Sequence, residues 1–259
     1  MVELYILFFL FGIIVGSFQN VLILRLPLEQ DVVFKSSHCP KCNNKLKWFH
    51  NIPLFGYLFL RGKCAFCGTK ISKQYPIIEL LAGLISLWLM PQKFILPHLL
   101  QYLFFFTTLI VFITHIVIDL RYKILPNELN AFLLVTFLFF SVFNFSVMHW
   151  GFGLLVGLLL PLSVAYGFYK LRGVEGLGGG DIKLFAILGI YLGPLGIIQN
   201  IFLSCFVGSI VGVGLIYSGK IDRDYAIPFG PSIILVAFAQ MYFPNEMTYL
   251  FKAVGFFTY

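Results

Sequence analysis

The chain has 259 residues, of which 59% are hydrophobic and 11% charged, with a formal net charge of +7. Soluble domains run closer to half apolar and a quarter charged, so this composition excludes a water-soluble globule and points to a bilayer as the solvent. The mean hydropathy of +0.92 agrees, and the positive charge comes with no nucleic-acid fold signature.

The first apolar stretch, from about Leu4 to Leu24, is too long for the core of a cleaved signal and is expected to stay as the first span. Apolar runs at 76–92, 99–119, 127–146, 151–169, 181–199, 200–217 and 228–245 are expected to follow as spans. The sixth and seventh run almost together, parted only near Pro194 and Asn200, so the count is seven or eight, with eight preferred. The expected fold class is an all-α polytopic membrane protein of about eight transmembrane helices with a small cytosolic zinc-knuckle insertion. The expected divisions are a first transmembrane helix over 1–25, a cytosolic zinc-binding loop over 26–75 and a transmembrane core over 76–259.

Charge sets the expected orientation. The segment from Arg25 to Lys73 also holds Lys35, Lys41, Lys45, Lys47, Arg61, Lys63 and Lys70. Every second connection after it is basic as well: Arg121 and Lys123, then Lys170, Arg172 and Lys183, then Lys220 and Arg223. The connections between these carry only Lys93, and Lys252 lies beyond the last span. Basic residues stay on the cytosolic side, so the N-terminus is expected outside and the long loop inside, with some attraction to anionic lipid. No internal repeat stands out.

Within that loop, Cys39-Pro40-Lys41-Cys42 and Cys64-Ala65-Phe66-Cys67 form two CxxC pairs with residues 43–63 between them. The spacing suits four thiolates on one tetrahedral zinc. A segment this small cannot fold on apolar burial alone, and a metal supplies the missing free energy. A reducing cytosol disfavours disulfides, and a closed four-ligand shell makes the metal structural. The fifth cysteine, Cys205, stands in an apolar run and reads as a small buried hydrophobe.

Few of the acidic residues fall in or against apolar spans. Asp119 ends the third span and Asp181 opens the sixth, so charge counting puts both at the cytosolic boundary. Ionisable groups at the edge of a membrane are costly and mark functional sites. Two carboxyl groups at close range share a proton; the ionised one then activates water while the protonated one polarises a carbonyl. The helix dipole favours the anion of Asp181 and opposes that of Asp119, which names Asp181 as the readier anion. Gly178, Gly179 and Gly180, just before Asp181, would let a substrate backbone approach closely and pair as an extended strand. His115, one helical turn before Asp119, and Lys183, just after Asp181, are expected to support the pair. The structural reading of these residues is plainer: Asp181 as a helix cap, Asp119 as a helix-end charge, His115 as an interior histidine.

Taken together, these motifs resemble the bacterial type IV prepilin peptidases, a family of GxGD-type membrane aspartic peptidases. The matching residues are Gly16-Ser17-Phe18-Gln19-Asn20-Val21 with Arg25-Leu26-Pro27, both CxxC pairs, Asn51-Ile52-Pro53, Arg61-Gly62-Lys63 and Tyr75-Pro76 with Glu79. They continue through Asp119, Leu125-Pro126-Asn127, Gly176-Leu177-Gly178-Gly179-Gly180-Asp181-Ile182-Lys183 and Ile227-Pro228-Phe229-Gly230-Pro231. Gln19 departs from the more usual Leu. The resemblance implies cleavage of the basic leader of prepilins and pseudopilins after a glycine at the cytosolic face of the bacterial inner membrane. It also implies methylation of the new N-terminal residue with S-adenosylmethionine. Asp119 and Asp181 match the family's aspartates. No Rossmann-type glycine fingerprint marks a site for S-adenosylmethionine, and Gly62 and Glu79 are the residues singled out for methyl transfer. Two other readings of the sequence are a peptidase without methylation and an ion or proton transporter that uses the aspartates as a relay.

Overall fold

A computed structural model describes residues 2–174, 176–219 and 227–254; the basic pair Lys220 and Arg223 lies outside them. The described residues are built from nine helices: α1 (Val2–Arg25), α2 (Phe55–Phe59), α3 (Gln74–Trp88), α4 (Leu96–Tyr122), α5 (Asn127–Asn144), α6 (Val147–Arg172), α7 (Gly179–Tyr217), α8 (Gly230–Tyr242) and α9 (Pro244–Val254). The chain divides within α4 into two compact units, Met1–Thr114 and His115–Tyr259.

Five helices, α1 and α4 to α7, are long and apolar enough to cross a membrane, and α3 and α8 are shorter apolar helices. This is a membrane protein. Each of the eight expected spans overlaps a helix, with the sixth and seventh both in α7, but the break in α7 falls inside the expected 181–199 span and not at its end. Gly193 breaks it with φ 70° and ψ 179°, and Pro194 follows. That backbone conformation lies in territory that glycine enters at little cost, and the proline ring removes the next donor. The division is therefore sharper than the sequence implied, and Asn200 plays no part in it. Asn200 is buried and donates to Gln240 Oε1 of α8 at 2.9 Å, while Gln240 Nε2 donates to the Gly196 carbonyl at 2.9 Å. A buried polar pair in an apolar surround must find such partners, and here it fastens α8 to α7. A second difference lies at the C-terminal side. The last expected span, 228–245, ends at Tyr242, and the helix restarts as α9 at Pro244.

In the first unit α1 packs along α3. A Cβ on Gly12 or Gly16 would run into Ala82, Gly83 or Glu79, so small residues set the close approach. Polar side chains lock the pair: Asn20 Nδ2 donates to the Tyr75 carbonyl at 3.1 Å, and Ser86 Oγ donates to the Phe8 carbonyl at 2.6 Å. Gln19 Nε2 reaches the Ile110 carbonyl of α4 at 3.1 Å.

The insertion between α1 and α3 does contain a repeat, one of backbone rather than of sequence. In each half the first cysteine's N–H donates five residues ahead, Cys39 to the Asn44 carbonyl and Cys64 to the Thr69 carbonyl. In each half the residue four after that cysteine donates back to it, Asn43 to Cys39 and Gly68 to Cys64. Both of these residues are left-handed, Asn43 at φ 55° and Gly68 at φ 68°. Asparagine and glycine are the types that tolerate that region, which is why two unlike sequences fold into the same knuckle.

Candidate active site

The two halves of the knuckle bring Cys39, Cys42, Cys64 and Cys67 together, with one ligand atom from each all within 4.8 Å of one another. Cys39 Sγ and Cys67 Sγ are 3.8 Å apart and unbonded. Four sulfurs around a tetrahedral zinc with bonds near 2.3 Å would be spaced by about 3.8 Å, whereas a disulfide needs about 2 Å. The set therefore fits one tetrahedral ion. The surroundings act unequally on the thiols: against the Asn44 N–H, burial and the neighbouring sulfurs push Cys42 up to about 11, whereas the backbone N–H groups of Cys42 and Lys41 hold the Cys39 thiol below its ordinary value. The Thr69 side chain, then its backbone, does the same for Cys67.

In the second unit, three helix ends meet around the aspartates. Asp119 sits in the last turn of α4, 5% exposed. Its Oδ2 accepts a hydrogen bond from the backbone N–H of Gly230, the first residue of α8, at 3.0 Å. A carboxylate at a helix N-terminus takes up one of the donors that the helix leaves unpaired. The approach requires glycine, because a Cβ at position 230 would lie 2.6 Å from Asp119 Oδ2. Asp181 sits in the first turn of α7, with its N–H on the Gly178 carbonyl at 3.1 Å and its Oδ2 turned back toward Gly178.

Leu125 packs near a glycine at each aspartate. It is the side chain that a Cβ on Gly180 would meet, 3.0 Å from Leu125 Cβ, and also one that a Cβ on Gly230 would meet, 3.2 Å from Leu125 Cδ2. Leu125 therefore neighbours both the glycine before Asp181 and the glycine whose N–H binds Asp119. The Gly230 donor was not counted in the dipole argument, so that argument no longer ranks Asp181 above Asp119 as the anion. The approach strip is open: Gly178 and Gly179 are exposed, and nothing lies within 4 Å of where a Cβ on Gly179 would point.

The supporting residues divide. Lys183 is exposed and donates to Asn127 Oδ1 at the start of α5, 2.7 Å away, so it ties α7 to α5 and does not bond to either aspartate. His115 is fully buried, and neither ring nitrogen has a hydrogen-bond partner among the described residues. Gly62 is left-handed (φ 67°) and packs under Tyr57. Glu79 is buried and accepts the Leu54 N–H at 2.7 Å. Gly230 and Asn127 entered the sequence reading only as parts of matching motifs. The signal for Gly230 was the Pro228-Phe229-Gly230-Pro231 run, which marks a helix start but not what its free N–H faces.

Known proteins match the chain along most of its length. Residues 10–92 match the bacterial peptidase A24 N-terminal domain, and residues 103–213 match the type IV leader peptidase family. The chain is 33% identical to a prepilin leader peptidase/N-methyltransferase of Xanthomonas campestris pv. campestris, over 91% of this chain and 90% of the relative. It is 34% identical to one of Aeromonas hydrophila, over 93% and 91%, and 32% identical to one of Bacillus subtilis, over 87% and 88%. No solved structure gives a significant match. With two helix-end aspartates beside a glycine strip, a four-cysteine knuckle, and relatives matched along nearly their whole length, the chain belongs to the type IV leader peptidase family.

Proposed function

We propose that this protein is a membrane aspartic endopeptidase that removes the basic leader of prepilins and pseudopilins after a glycine, and that it methylates the new N-terminal residue with S-adenosylmethionine. The single observation that carries the peptidase reading is that Asp119, bound by the Gly230 N–H, and Asp181, preceded by exposed glycines, stand at helix ends whose glycines share Leu125 as a neighbour. One carboxylate takes a proton from water as its oxygen attacks the scissile carbonyl. The other, protonated, donates to the developing oxyanion, and the proton then passes to the leaving amine. The Gly230 N–H holds Asp119 Oδ2 in place and leaves Oδ1 for the reaction. The bared backbone at Gly178 and Gly179 gives an extended substrate somewhere to pair. A prepilin joins a charged leader to an apolar helix, so its cleavage site belongs at a membrane boundary, where charge counting puts both aspartates.

The distribution of Lys and Arg supports a multi-pass protein of the bacterial inner membrane, with its N-terminus outside and the Arg25–Lys73 segment in the cytosol. Cys39, Cys42, Cys64 and Cys67 hold one structural zinc. His115, buried one turn from Asp119 and without a protein partner among the described residues, supports the pair through water. Methyl transfer is assigned to the insertion and the helix ends beside it, with Gly62 and Glu79 as the residues to test.

The test is cleavage of a purified prepilin by the protein in lipid, with labelled S-adenosylmethionine present. Wild type should cut and label the product. Asp119→Asn and Asp181→Asn should each lower cutting by about a thousandfold or more while still labelling a pilin supplied already cut. Full cleavage by both variants would sink the peptidase reading, and cut but unlabelled product would remove the methyltransferase half. Ion uptake into proteoliposomes without any cleavage would replace both.

A further inference from the structure

Leu54, the residue that opens α2, has φ 61°. Outside glycine, such a conformation is strained and survives only where its surroundings hold it. The holding group belongs to another helix. Leu54 N–H donates to Glu79 Oε2 at 2.7 Å, and Glu79 is a 6%-exposed carboxyl in the second turn of α3. Its depth can be read from its neighbour: a Cβ on Gly16 would lie 2.8 Å from Glu79 Cα. Gly16 is two and a half turns inside the Arg25 end of α1, about 13 Å at 1.5 Å per residue. The start of α2 is thus tied to a residue that packs well down the membrane-crossing helix α1. Allowing for the reach of a glutamate side chain, α2 begins where headgroups meet acyl chains.

Its composition fits that depth. Phe55, Leu58 and Phe59 fall on one side at helical spacing, and Leu58 and Phe59 are 66% and 80% exposed. Trp48, in the 3-10 turn just before, is 79% exposed. The other side of α2 faces inward, with Gly56 buried against the His50 carbonyl and Tyr57 packed on Gly62. So much aromatic surface is not left bare in water without a partner. Lys45, Lys47, Arg61 and Lys63 flank it, and Glu29 and Asp31 are the only acids between Arg25 and Lys73. Aromatic residues at shallow depth, bordered by basic ones, are the chemistry of an interfacial anchor on anionic lipid.

We infer that α2 with Trp48 is such an anchor: it lies in the leaflet beside α1 and α3, with anionic phospholipid headgroups over its basic flanks, and so holds the four-cysteine knuckle at the membrane surface. The inference needs only that the chain is a membrane protein and stands apart from the peptidase reading.

The test uses the full chain with Trp48, Trp88 and Trp150 changed to Phe and one reporter tryptophan added, in nanodiscs containing phosphatidylglycerol brominated along its acyl chains. Leu58→Trp and Phe59→Trp should lose about half of their emission or more to the bromines, as a shallow residue must. Lys41→Trp, on the exposed rim of the knuckle, should lose little. Glu79→Ala should release α2 and reduce the quenching at 59. Glu79→Gln keeps an acceptor for the Leu54 N–H and should retain it. Monodispersity and circular dichroism show that each variant is folded; where Glu79→Ala fails that check, the comparison of positions 58, 59 and 41 decides alone. Equal quenching at 41 and 59 overturns the proposal, as does an unquenched residue 59 that a purified prepilin shields from aqueous iodide, which would make α2 a protein-docking face.

Discussion

The knuckle and the aspartate site are held by opposite means. The knuckle is local: its bonds span five residues, its left-handed positions are filled by Asn43 and Gly68, and its centre is four sulfurs that repel one another unless a cation sits among them. The aspartate site is remote in sequence. The N–H that holds Asp119 comes from a residue 111 positions away, and its surroundings are helix ends fixed by apolar packing. The first kind of site is specified by ligand spacing and is expected to fail without a cation among its sulfurs. The second is specified by where helices stop and fails when a backbone is pushed aside.

Three perturbations should separate them, beginning with the largest. Removing the metal with a strong chelator, or changing Cys42 to Ser, should unfold the knuckle and leave the helices intact. Structural zinc supplies about 10–16 kcal/mol to small domains of this kind, more than a fifty-residue insertion can replace. Limited proteolysis should then cut between residues 26 and 73 while helical circular dichroism changes little; an uncut insertion in metal-free protein would break the comparison. Next comes Gly230→Ala, whose added carbon would sit 2.6 Å from Asp119 Oδ2. A displaced catalytic carboxylate should cost about a hundredfold in kcat with bound zinc unchanged, read by a cleavage assay beside metal analysis. Unaltered kcat would mean that the Gly230 contact positions nothing. The smallest effect is expected from Lys183→Met, which removes an exposed bond to Asn127. It should lower stability by about 1 kcal/mol or less, seen as a shift of a few degrees in the melting temperature, with cleavage retained. A large loss of kcat without a change in melting temperature would return Lys183 to the reaction.

Legibility in the sequence followed the same division. Both CxxC pairs could be read as one metal set because ligand spacing is a local property. Apolar segments were legible because apolar length is local too, although the boundary inside α7 falls at Gly193 and not between residues 199 and 200. Asp119 and Asp181 were paired through the positions of basic loops, and the structure puts each at a helix end in the second unit. What escaped was contact between distant backbone groups. Nothing in Ile227-Pro228-Phe229-Gly230-Pro231 says that its N–H faces Asp119, and nothing near Lys183 says that its ammonium ends on Asn127 rather than on a neighbouring carboxylate. The depth of α2 was hidden for the same reason, since it depends on Glu79, which the sequence offered only as a candidate for methyl transfer.

The corner at Gly193 has a practical consequence. A single non-helical residue joins two apolar segments, so that connection presents almost no polypeptide to the surrounding fluid. A protease, an antibody or a water-soluble thiol reagent has nothing to grip there, and a reporter domain spliced in at that point would have to wrench α7 apart. Sidedness is better mapped from the knuckle, where a tag can be added without bending a span.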